Sequence, residues 1–285
     1  MRFGVLAFLA ATAAFADNRA QDPGAPFPGN VDLPRATAMG GAHAAIATSN
    51  DALTVNPAGL AQTRRYHFEL DGMYDSKFPA QGVLVSLADS ITTAPASTGM
   101  LFTRWGSGQP TGRAEGWSLG FGYAGAVAQG VFAGGETKFL RYYTPLGFVQ
   151  KFAQDIGLLS RRGNFSVAAV LQNISTEKIP LFPLTATGAV AWGTDADWHL
   201  AIDYKADLSD TSHVRSRVAI GGELLVGDAI VLRAGGTRDI TANQWLVSAG
   251  IGILTEKGGL QFVWRRRVEG PYDQFFEAGL TIYLE

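Results

Sequence analysis

The sequence has no cysteine, a small charged fraction and no apolar segment long enough for a membrane helix. Without cysteine there can be no disulfide, no thiolate metal site and no cysteine-linked lipid anchor. Charged residues make up 17% of the chain and the formal net charge is −2, which argues against a nucleic-acid partner. Beyond the first residues, no run approaches the ~18 apolar residues of a transmembrane helix. Any contact with a membrane therefore requires something other than a helix, and the 35 glycines are the compositional feature that stands out.

The N-terminus has the organisation of a secretory signal peptide. Arg2 supplies a positive charge, residues 4–15 are apolar but too short to span a bilayer, and Ala14-Phe15-Ala16 has the small-x-small pattern that signal peptidase cleaves. We therefore predict a signal peptide over residues 1–16, with Sec-dependent export and cleavage near Ala16.

The next segments differ from the rest of the chain. Residues 17–34 are rich in proline and glycine and are predicted to be a connector. Residues 35–62 are rich in alanine and carry helix-start chemistry. The Ser-Asn-Asp of residues 49–51 offers side chains that can cap a helix N-terminus. Asn-Pro at 56–57 indicates a second helix start, because Asn is a favourable N-cap and Pro is tolerated at the first helical position. Two short helices or turns are expected, too small to be stable alone. This predicted plug needs a surface to pack on, such as a barrel lumen.

From residue 63 to residue 285 the hydrophobic period is two. In residues 66–75, apolar and aromatic positions alternate with His, Glu and Asp, and residues 276–284 alternate in the same way. Alternating runs of about ten residues between turn residues are typical of outer-membrane barrels. In hydrocarbon every backbone N–H and C=O must be paired internally, which a sheet achieves only by closing on itself. The prediction is an all-β, transmembrane, antiparallel up-and-down β-barrel with a small N-terminal helical plug. A soluble β-sandwich also alternates and is the alternative.

Counting the alternating runs gives about 14 strands, an even number as in bacterial barrels. The fifth is the weakest, because Lys138 and Arg141 fall on opposite faces. The connections left over are short at both ends. The predicted spans are 64–75, 78–90, 97–108, 114–124, 131–143, 148–162, 164–175, 184–195, 198–208, 213–227, 229–239, 244–258, 259–270 and 272–285.

The plug segment resembles a known family. Arg35-Ala-Thr-Ala-Met-Gly-Gly-Ala-His43, followed by Asn50-Asp-Ala-Leu-Thr-Val-Asn-Pro-Ala-Gly-Leu60, resembles the N-terminal hatch of FadL-like and PorV-like outer-membrane proteins. In that family such a segment precedes about 14 strands. Phrases such as Val170-Leu-Gln-Asn-Ile174 and Leu232-Arg-Ala-Gly-Gly236 look closer to the short-looped PorV-type members. The chain departs from the family in two ways. It has no room for the extracellular loops of FadL-type channels, and it ends on Leu284-Glu285 rather than on an aromatic residue.

Two sets of residues are candidates for function. The charges on the predicted lumen face form either a polar conduit and seat for the plug, or a self-satisfied ion-pair network filling a narrow lumen. Arg266 falls on the lipid face, where a cation costs ~2–4 kcal/mol at the midplane, so it is expected at the interface beyond Trp264. The plug motif comprises Gly40, Gly41, Asn50, Asp51, Asn56, Pro57 and Gly59. The lumen charges are Glu69, Asp71, Asp203, Lys205, Arg215, Arg217, Glu223, Arg233, Arg265 and Glu277.

Motifs for catalysis or metal binding are weak. Gly116-Trp-Ser-Leu-Gly120 matches G-x-S-x-G, but Ser118 lies in a period-two run rather than on a strand-to-helix turn. Residues 120–125 match G-x-G-x-x-G with no helix following. We predict no catalytic residue, no metal and no cofactor. The histidines show no metal-ligand spacing: His43, His67, His199 and His213.

Two functions remain open. Short loops and a charge-filled lumen favour a non-enzymatic docking or scaffold barrel within an envelope-spanning apparatus, of the secretion or surface-motility type. The alternative is a FadL-like passive channel for small hydrophobic molecules, gated by the plug. The expected location is the cell outer membrane of a Gram-negative bacterium. The expected partners are outer-membrane lipid or lipopolysaccharide, other periplasmic or surface-exposed envelope proteins and, for the channel, a small hydrophobic ligand; no nucleic acid is expected.

Overall fold

The computed structural model describes residues 31–76, 80–109, 112–144, 147–176, 182–194, 197–212, 214–269 and 274–284. The predicted signal peptide and residues 17–30 of the predicted connector lie outside these ranges. In the described residues the chain forms fourteen strands: β1 (Tyr66–Asp75), β2 (Ala80–Asp89), β3 (Ser97–Gln109), β4 (Gly112–Ala128), β5 (Val131–Thr144), β6 (Gly147–Arg162), β7 (Phe165–Gln172), β8 (Thr185–Thr194), β9 (Trp198–Asp207), β10 (Arg215–Val226), β11 (Ile230–Asp239), β12 (Gln244–Thr255), β13 (Gly258–Arg267) and β14 (Gln274–Leu284).

The strands form one closed antiparallel barrel. Each strand pairs with the next along the chain, and β1 pairs with β14 to complete the ring. The closing seam runs along the whole of β1, from Tyr66 opposite Leu284 to Asp75 opposite Phe275. The predicted barrel of about 14 strands is confirmed. The sandwich alternative is wrong, because a single sheet closes on itself.

Alternation along each strand separates an apolar outer face from an inner face. In β4, Phe121 and Tyr123 point outward and are 52% and 61% exposed, whereas Gly120, Gly122 and Ala124 are buried inside. The same pattern runs around the ring. So large an exposed apolar surface is unfavourable in water and suits hydrocarbon. Further outward, exposed apolar residues include Ile156, Leu200, Ile220, Ile253, Leu260 and Leu280.

The two ends of the barrel differ in their connections. At one end, which we call the turn end, the chain enters β1 from the N-terminal segment and leaves β14. Gly163 and Gly227, with φ of +57° and +60°, form tight turns there, as glycine readily does. The other end, the loop end, carries the longest connection, residues 173–184; the next longest have seven residues each, 208–214 at the loop end and 90–96 at the turn end. Short turns face the periplasm and longer loops face the exterior in bacterial barrels, which assigns the loop end to the outside.

The N-terminal segment lies inside the barrel. It contains helices α1 (Pro34–Ala38) and α2 (Ala52–Val55) and two 3₁₀ turns, Ser49–Asp51 and Pro57–Ala61. Nearly all of its side chains are buried. Within the described parts of the chain, no helix is long and apolar enough to cross a membrane. This segment, residues 31–62, is called the plug below.

The caps of the plug agree with the sequence at one site and differ at the other. Asn56 accepts a hydrogen bond from the Ala58 N–H at 3.1 Å, as expected of an N-cap. At α2, however, no side chain caps the helix. Ser49 instead bonds to His67 of β1, and Asp51 contacts Arg35 and His43. These side chains find partners in the folded interior that local sequence does not reveal.

Candidate functional site: the plug and its seat in the lumen

The Met39-Gly40 stretch of the plug rests on two glycines of the barrel wall. Gly221 of β10 lies directly opposite Gly235 of β11. A Cβ at Gly221 would lie 2.2 Å from the Met39 carbonyl oxygen, and one at Gly235 would lie 2.2 Å from the Met39 carbonyl carbon. Gly40 itself has a φ of +68°, and a Cβ on it would lie 2.6 Å from the Gly236 nitrogen. Backbone therefore touches backbone, with no room for a side chain.

Asn56-Pro57, the second part of the plug motif, rests on a similar pair. Gly134 of β5 lies opposite Gly157 of β6. A Cβ at Gly157 would lie 2.0 Å from Asn56 Oδ1, and one at Gly134 would lie 2.5 Å from the Pro57 carbonyl carbon. The Gly221–Gly235 and Gly134–Gly157 pairs are called the glycine seats below. At both seats the plug approaches the wall so closely that only glycine fits there.

Wall hydroxyls satisfy the end of α1. Ser248 donates to the Ala38 carbonyl oxygen at 2.8 Å, and Thr237 donates to the Gly40 carbonyl oxygen. Carbonyls at a helix C-terminus lack partners within the helix. The barrel therefore supplies the hydrogen bonds that so short a helix cannot make for itself.

Glu223 of β10 joins the plug to the wall through two arginines. Its carboxylate accepts bonds from Arg35 Nε at 2.9 Å and Arg35 Nη2 at 2.7 Å, the two-pronged geometry that arginine favours. The same carboxylate accepts Arg233 Nε at 2.6 Å, and His199 Nδ1 lies 3.5 Å from it. Arg35 belongs to the plug and Arg233 to β11. One half-buried carboxylate therefore fixes the start of the plug.

Asp203 of β9 holds the middle of the plug. Its Oδ2 accepts the backbone N–H of His43 at 3.1 Å and that of Ala44 at 2.9 Å. Two strands away on the same side of the barrel, Gln172 of β7 donates to the Thr54 carbonyl oxygen at 2.9 Å. Backbone groups of the plug that would otherwise be buried without a partner are thus paired with side chains of the barrel.

His43 and Asp51 form a buried contact within the plug. His43 Nε2 lies 3.3 Å from Asp51 Oδ2, and Arg35 Nη1 lies 3.4 Å from the same oxygen. Burial lowers the pKa of His43 below its ordinary 6.5, against the opposing hydrogen bond with Asp51. Burial alone would raise the pKa of Asp51, but the bond with His43 and the charge of Arg35 outweigh it and lower that pKa. A neutral His43 donating to an ionised Asp51 fits both directions.

We expect His43 to make the plug less stably seated in acid. Its pKa is lower in the folded than in the unfolded chain, so below pH 6.5 the unfolded chain binds more protons and stability falls. For a single titrating group, the equilibrium constant for seating the plug cannot fall by more than about tenfold per pH unit. Asp51 contributes little between pH 5.5 and 7.5, because its stabilisation is lost only below its ordinary pKa of 3.8. A cysteine placed at buried Ala36 should react faster with a thiol reagent at pH 5.5 than at pH 7.5, normalised to the unfolded chain.

His43→Asn is the matched comparison for this measurement, since asparagine can donate to Asp51 but does not titrate. Burial raises the pKa of Asp32, which acts in the opposite direction. The difference between the two proteins, rather than either alone, therefore isolates His43. An equal pH dependence in both would contradict the assignment.

The remaining predicted lumen charges also lie on the inner face. Glu69, Asp71 and Glu277 are buried on the adjacent strands β1 and β14. Arg217 lies 3.5 Å from Asp239, and the Arg265 guanidinium stacks 4.4 Å from the Phe275 ring centre. Arg215 is half-buried at the start of β10. Glu223 and Asp203 thus hold the plug, and the Arg217–Asp239 pair joins two strands of the wall.

A second polar network contains one predicted lumen charge, Lys205, together with Lys138 and Asp155, which the sequence analysis did not assign to the lumen. Lys138 Nζ donates to Asp155 Oδ2 at 2.8 Å, and Lys205 Nζ donates to Gln172 Oε1 at 2.8 Å. Asp155 also accepts the Asn173 N–H at 2.8 Å. The phase of β6 places Asp155 on the inner face with Ala153, so its alternation was the available signal. Lys138 points inward to it while Arg141 points outward at the loop end, which resolves the ambiguity of the fifth strand.

The plug leaves space at the turn end. A cavity of about 360 Å³ there is lined by polar side chains that include Arg35, Asp51, His67 and Glu223. At the loop end, Phe182 is fully buried and its ring centre lies 5.3 Å from that of Tyr142. The middle of the lumen is filled by the plug and the side chains that hold it.

The weak chemical motifs occupy ordinary strand positions. Ser118 lies within β4 and is hydrogen-bonded to Thr103 of β3 at 2.5 Å, not on a strand-to-helix turn. His213 lies outside the described residues. Among those that are described, no group of three or more His, Cys, Asp or Glu could hold a metal ion.

Comparison with known proteins identifies the architecture. No protein-family model matches the sequence. No curated protein matches it either. Among solved structures, a Pseudomonas aeruginosa FadL homologue matches with a TM-score of 0.71 at 10% identity, over 88% of this chain and 98% of that one. The chain has a FadL-type fold. The Ralstonia pickettii toluene transporter TbuX matches with a TM-score of 0.68 at 12% identity, over 91% and 100% of the two chains. The Pseudomonas putida toluene transporter TodX matches with a TM-score of 0.65 at 13% identity, over 88% and 96%.

The FadL-type fold corrects one expectation from the sequence. The short connections and strand phrases suggested a closer relation to PorV-type members, and the structural matches give that subtype no support. Short loops can arise by trimming any barrel, because loops tolerate deletion far better than strands. They are therefore a poor guide to subtype.

Proposed function

We propose that the chain is an outer-membrane channel for small hydrophobic molecules in which the plug is the gate. The observation that carries this proposal is an apolar column on the inner face of β1–β3 and β14. It is formed by Met73, Leu84, Leu101, Trp105 and Phe275, all at most 6% exposed. A lumen that served only to hold charges would have no need of it. The column runs from the loop end towards the turn end.

The plug occupies the inner side of this column in the closed state. Leu33, Leu53 and Leu60 pack in the same cluster as the wall residues. A hydrophobic molecule that replaced them would meet an apolar surface already lined for it, while the charged network holds the plug from the β9–β11 side. Passage therefore requires the plug to leave the column, and the ion pairs set how readily it does so.

Known barrels of the same fold support this function over docking. Two of the matched structures are described as toluene transporters. The docking hypothesis rested on short loops and a charge-filled lumen, and the same charges are accounted for by a plug that must be held closed. Neither secretion nor surface motility finds support among the matches. The apolar outer face supports a location in the outer membrane.

Uptake of toluene by intact cells tests the proposal. Cells producing the chain should take up radiolabelled toluene faster than cells with an empty vector, and the rate should saturate. Leu84→Asn places an amide in the apolar column and should lower uptake at least fivefold, because each passing apolar molecule must then contact a buried polar group. Leu246→Asn makes the same change at a buried inner-face position of β12 that lies outside the column.

The outcomes are distinct. Heat-modifiable migration on gels verifies that both variants fold. Uptake equal to the empty vector, or equal loss in Leu84→Asn and Leu246→Asn, would show that the column is not a path. Isolation with a stoichiometric envelope protein and no toluene uptake would return the docking hypothesis.

A further inference from the structure

The outer face near the loop end carries an unusual cluster on β3–β6. Three rows of paired residues cross these strands. The lowest row is Phe102, Leu119, Phe139 and Phe152; the next is Arg104, Trp117, Arg141 and Gln150; the row nearest the loops is Gly106, Glu115, Tyr143 and Phe148. Two arginines thus flank a tryptophan directly above an aromatic strip.

The aromatic strip is continuous. Ring centres lie 6.4 Å apart for Phe102 and Trp117, 5.4 Å for Trp117 and Phe139, and 5.1 Å for Phe139 and Phe152. Phe152 is 61% exposed. Aromatic rings at the end of an apolar band mark the boundary between hydrocarbon and headgroups. The strip therefore faces acyl chains, and the arginine row lies at headgroup level.

The two arginines are placed to receive an anion. Arg104 is exposed, and it makes no hydrogen bond or ion pair within the residues that the structure describes. Arg141 is held by its own surroundings: Nη2 donates to the Tyr143 hydroxyl at 3.3 Å, and the guanidinium lies 5.4 Å from the Phe148 ring centre. β3 and β5 are separated by one strand, so the two backbones are about 10 Å apart. For both side chains to reach one phosphate over Trp117, Arg141 must turn from Phe148 of β6 towards β4. The two arginines outnumber the one glutamate of the cluster, Glu115 in the next row, so the net charge of the cluster is positive.

We propose that Arg104 and Arg141 bind the phosphate of a phosphorylated lipid of the outer leaflet, whose acyl chains lie on the Phe102–Phe152 strip. Guanidinium groups form paired, charge-assisted hydrogen bonds with phosphate. An arginine on the lipid face is unfavourable unless it reaches an interface, and a phosphate at that level stabilises it further. The site lies on the outside of the wall and does not depend on the proposed transport function.

Native mass spectrometry of the detergent-solubilised protein tests the site, with bis-phosphorylated lipid A as the probe. Wild-type protein should bind this lipid at least tenfold more tightly than enzymatically dephosphorylated lipid A. Arg104→Gln/Arg141→Gln should lose that preference, with affinity for the phosphorylated lipid reduced at least tenfold. Arg104→Lys/Arg141→Lys keeps both positive charges but loses the paired N–H groups of the guanidinium. Its affinity for the phosphorylated lipid should lie between those of the wild type and the double glutamine variant.

The control variant is Arg162→Gln, an exposed arginine at the turn end of β6. It should bind as wild type does. Heat-modifiable migration verifies that each variant is a folded barrel. Unchanged binding by the double glutamine variant, equal binding of dephosphorylated lipid A, or an equal loss in Arg162→Gln would overturn the proposal. Complete competition by inorganic phosphate at equal concentration would also overturn it, because the acyl chains would then contribute nothing.

Discussion

Glu223→Gln is expected to release the plug from its closed position. The variant leaves the half-buried Arg35 and the buried Arg233 without the carboxylate that both now contact, and Asp51 then remains as the carboxylate that contacts Arg35. Removing one partner of a buried ion pair costs about 3 kcal/mol or more, because the remaining charge is uncompensated. Here two like charges remain. We expect the seated state of the plug to lose about that amount.

Thiol labelling measures this release directly. The chain has no cysteine, so a single Ala36→Cys, at a fully buried position beside Arg35, is a unique reporter. In the Glu223→Gln background it should react more than tenfold faster than in the wild-type background. Glu256→Gln, an exposed glutamate in the turn between β12 and β13, is the control and should have no effect. Equal labelling rates with and without Glu223 would show that the bridge does not hold the plug.

Gly221→Ala and Gly235→Ala are each expected to displace the plug at the first glycine seat. A new Cβ would lie 2.2 Å from the Met39 backbone in either case, and a backbone atom cannot rotate away as a side chain can. Overpacking of this kind costs about 1–3 kcal/mol. Because both methyl groups strike the same residue, the double variant should be little worse than either single one. Additive losses would show instead that the wall itself is being strained.

Gly188→Ala is the matched control for the seat. It makes the same change within β8, on the exposed outer face, where a Cβ would have no atom within 4 Å. Thermal unfolding and labelling at Ala36→Cys should leave this variant equal to wild type. If Gly188→Ala and Gly221→Ala behave alike, loss of glycine in a strand rather than contact with the plug is responsible.

The barrel was predictable because its cause is local. Alternation along a strand reflects which side chains face lipid and which face the interior. Neighbouring residues alone reveal this pattern, as they do in β1. The boundaries were less accurate where turn residues allowed a choice. The twelfth strand ends at Thr255 rather than at residue 258, since Gly258 already pairs with Ile282 in β13 and β14.

The contacts of the plug could not be predicted, because they depend on register across strands. The glycines at 134, 157, 221 and 235 are visible in the sequence, yet nothing there shows that they lie opposite one another in pairs. Likewise Asp51 reads as a helix cap, and only the folded interior brings it to Arg35 and His43. The docking hypothesis, which the structural matches do not support, gave weight to loop length, whereas the apolar column behind the proposed channel function is assembled from separate strands.

In the proposed channel, the short connection between plug and barrel limits how far the plug can move. Four residues, 62–65, separate the last 3₁₀ turn, Pro57–Ala61, from Tyr66 in β1. Even fully extended, that stretch reaches roughly 18 Å from Ala61 to Tyr66. The Asn56-Pro57 half is therefore tethered near the turn end, and opening becomes a swing in which the α1 half travels farthest. Return of the plug to its seat is then intramolecular, at an effective concentration in the millimolar range or above, so the proposed gate needs no diffusing partner to close.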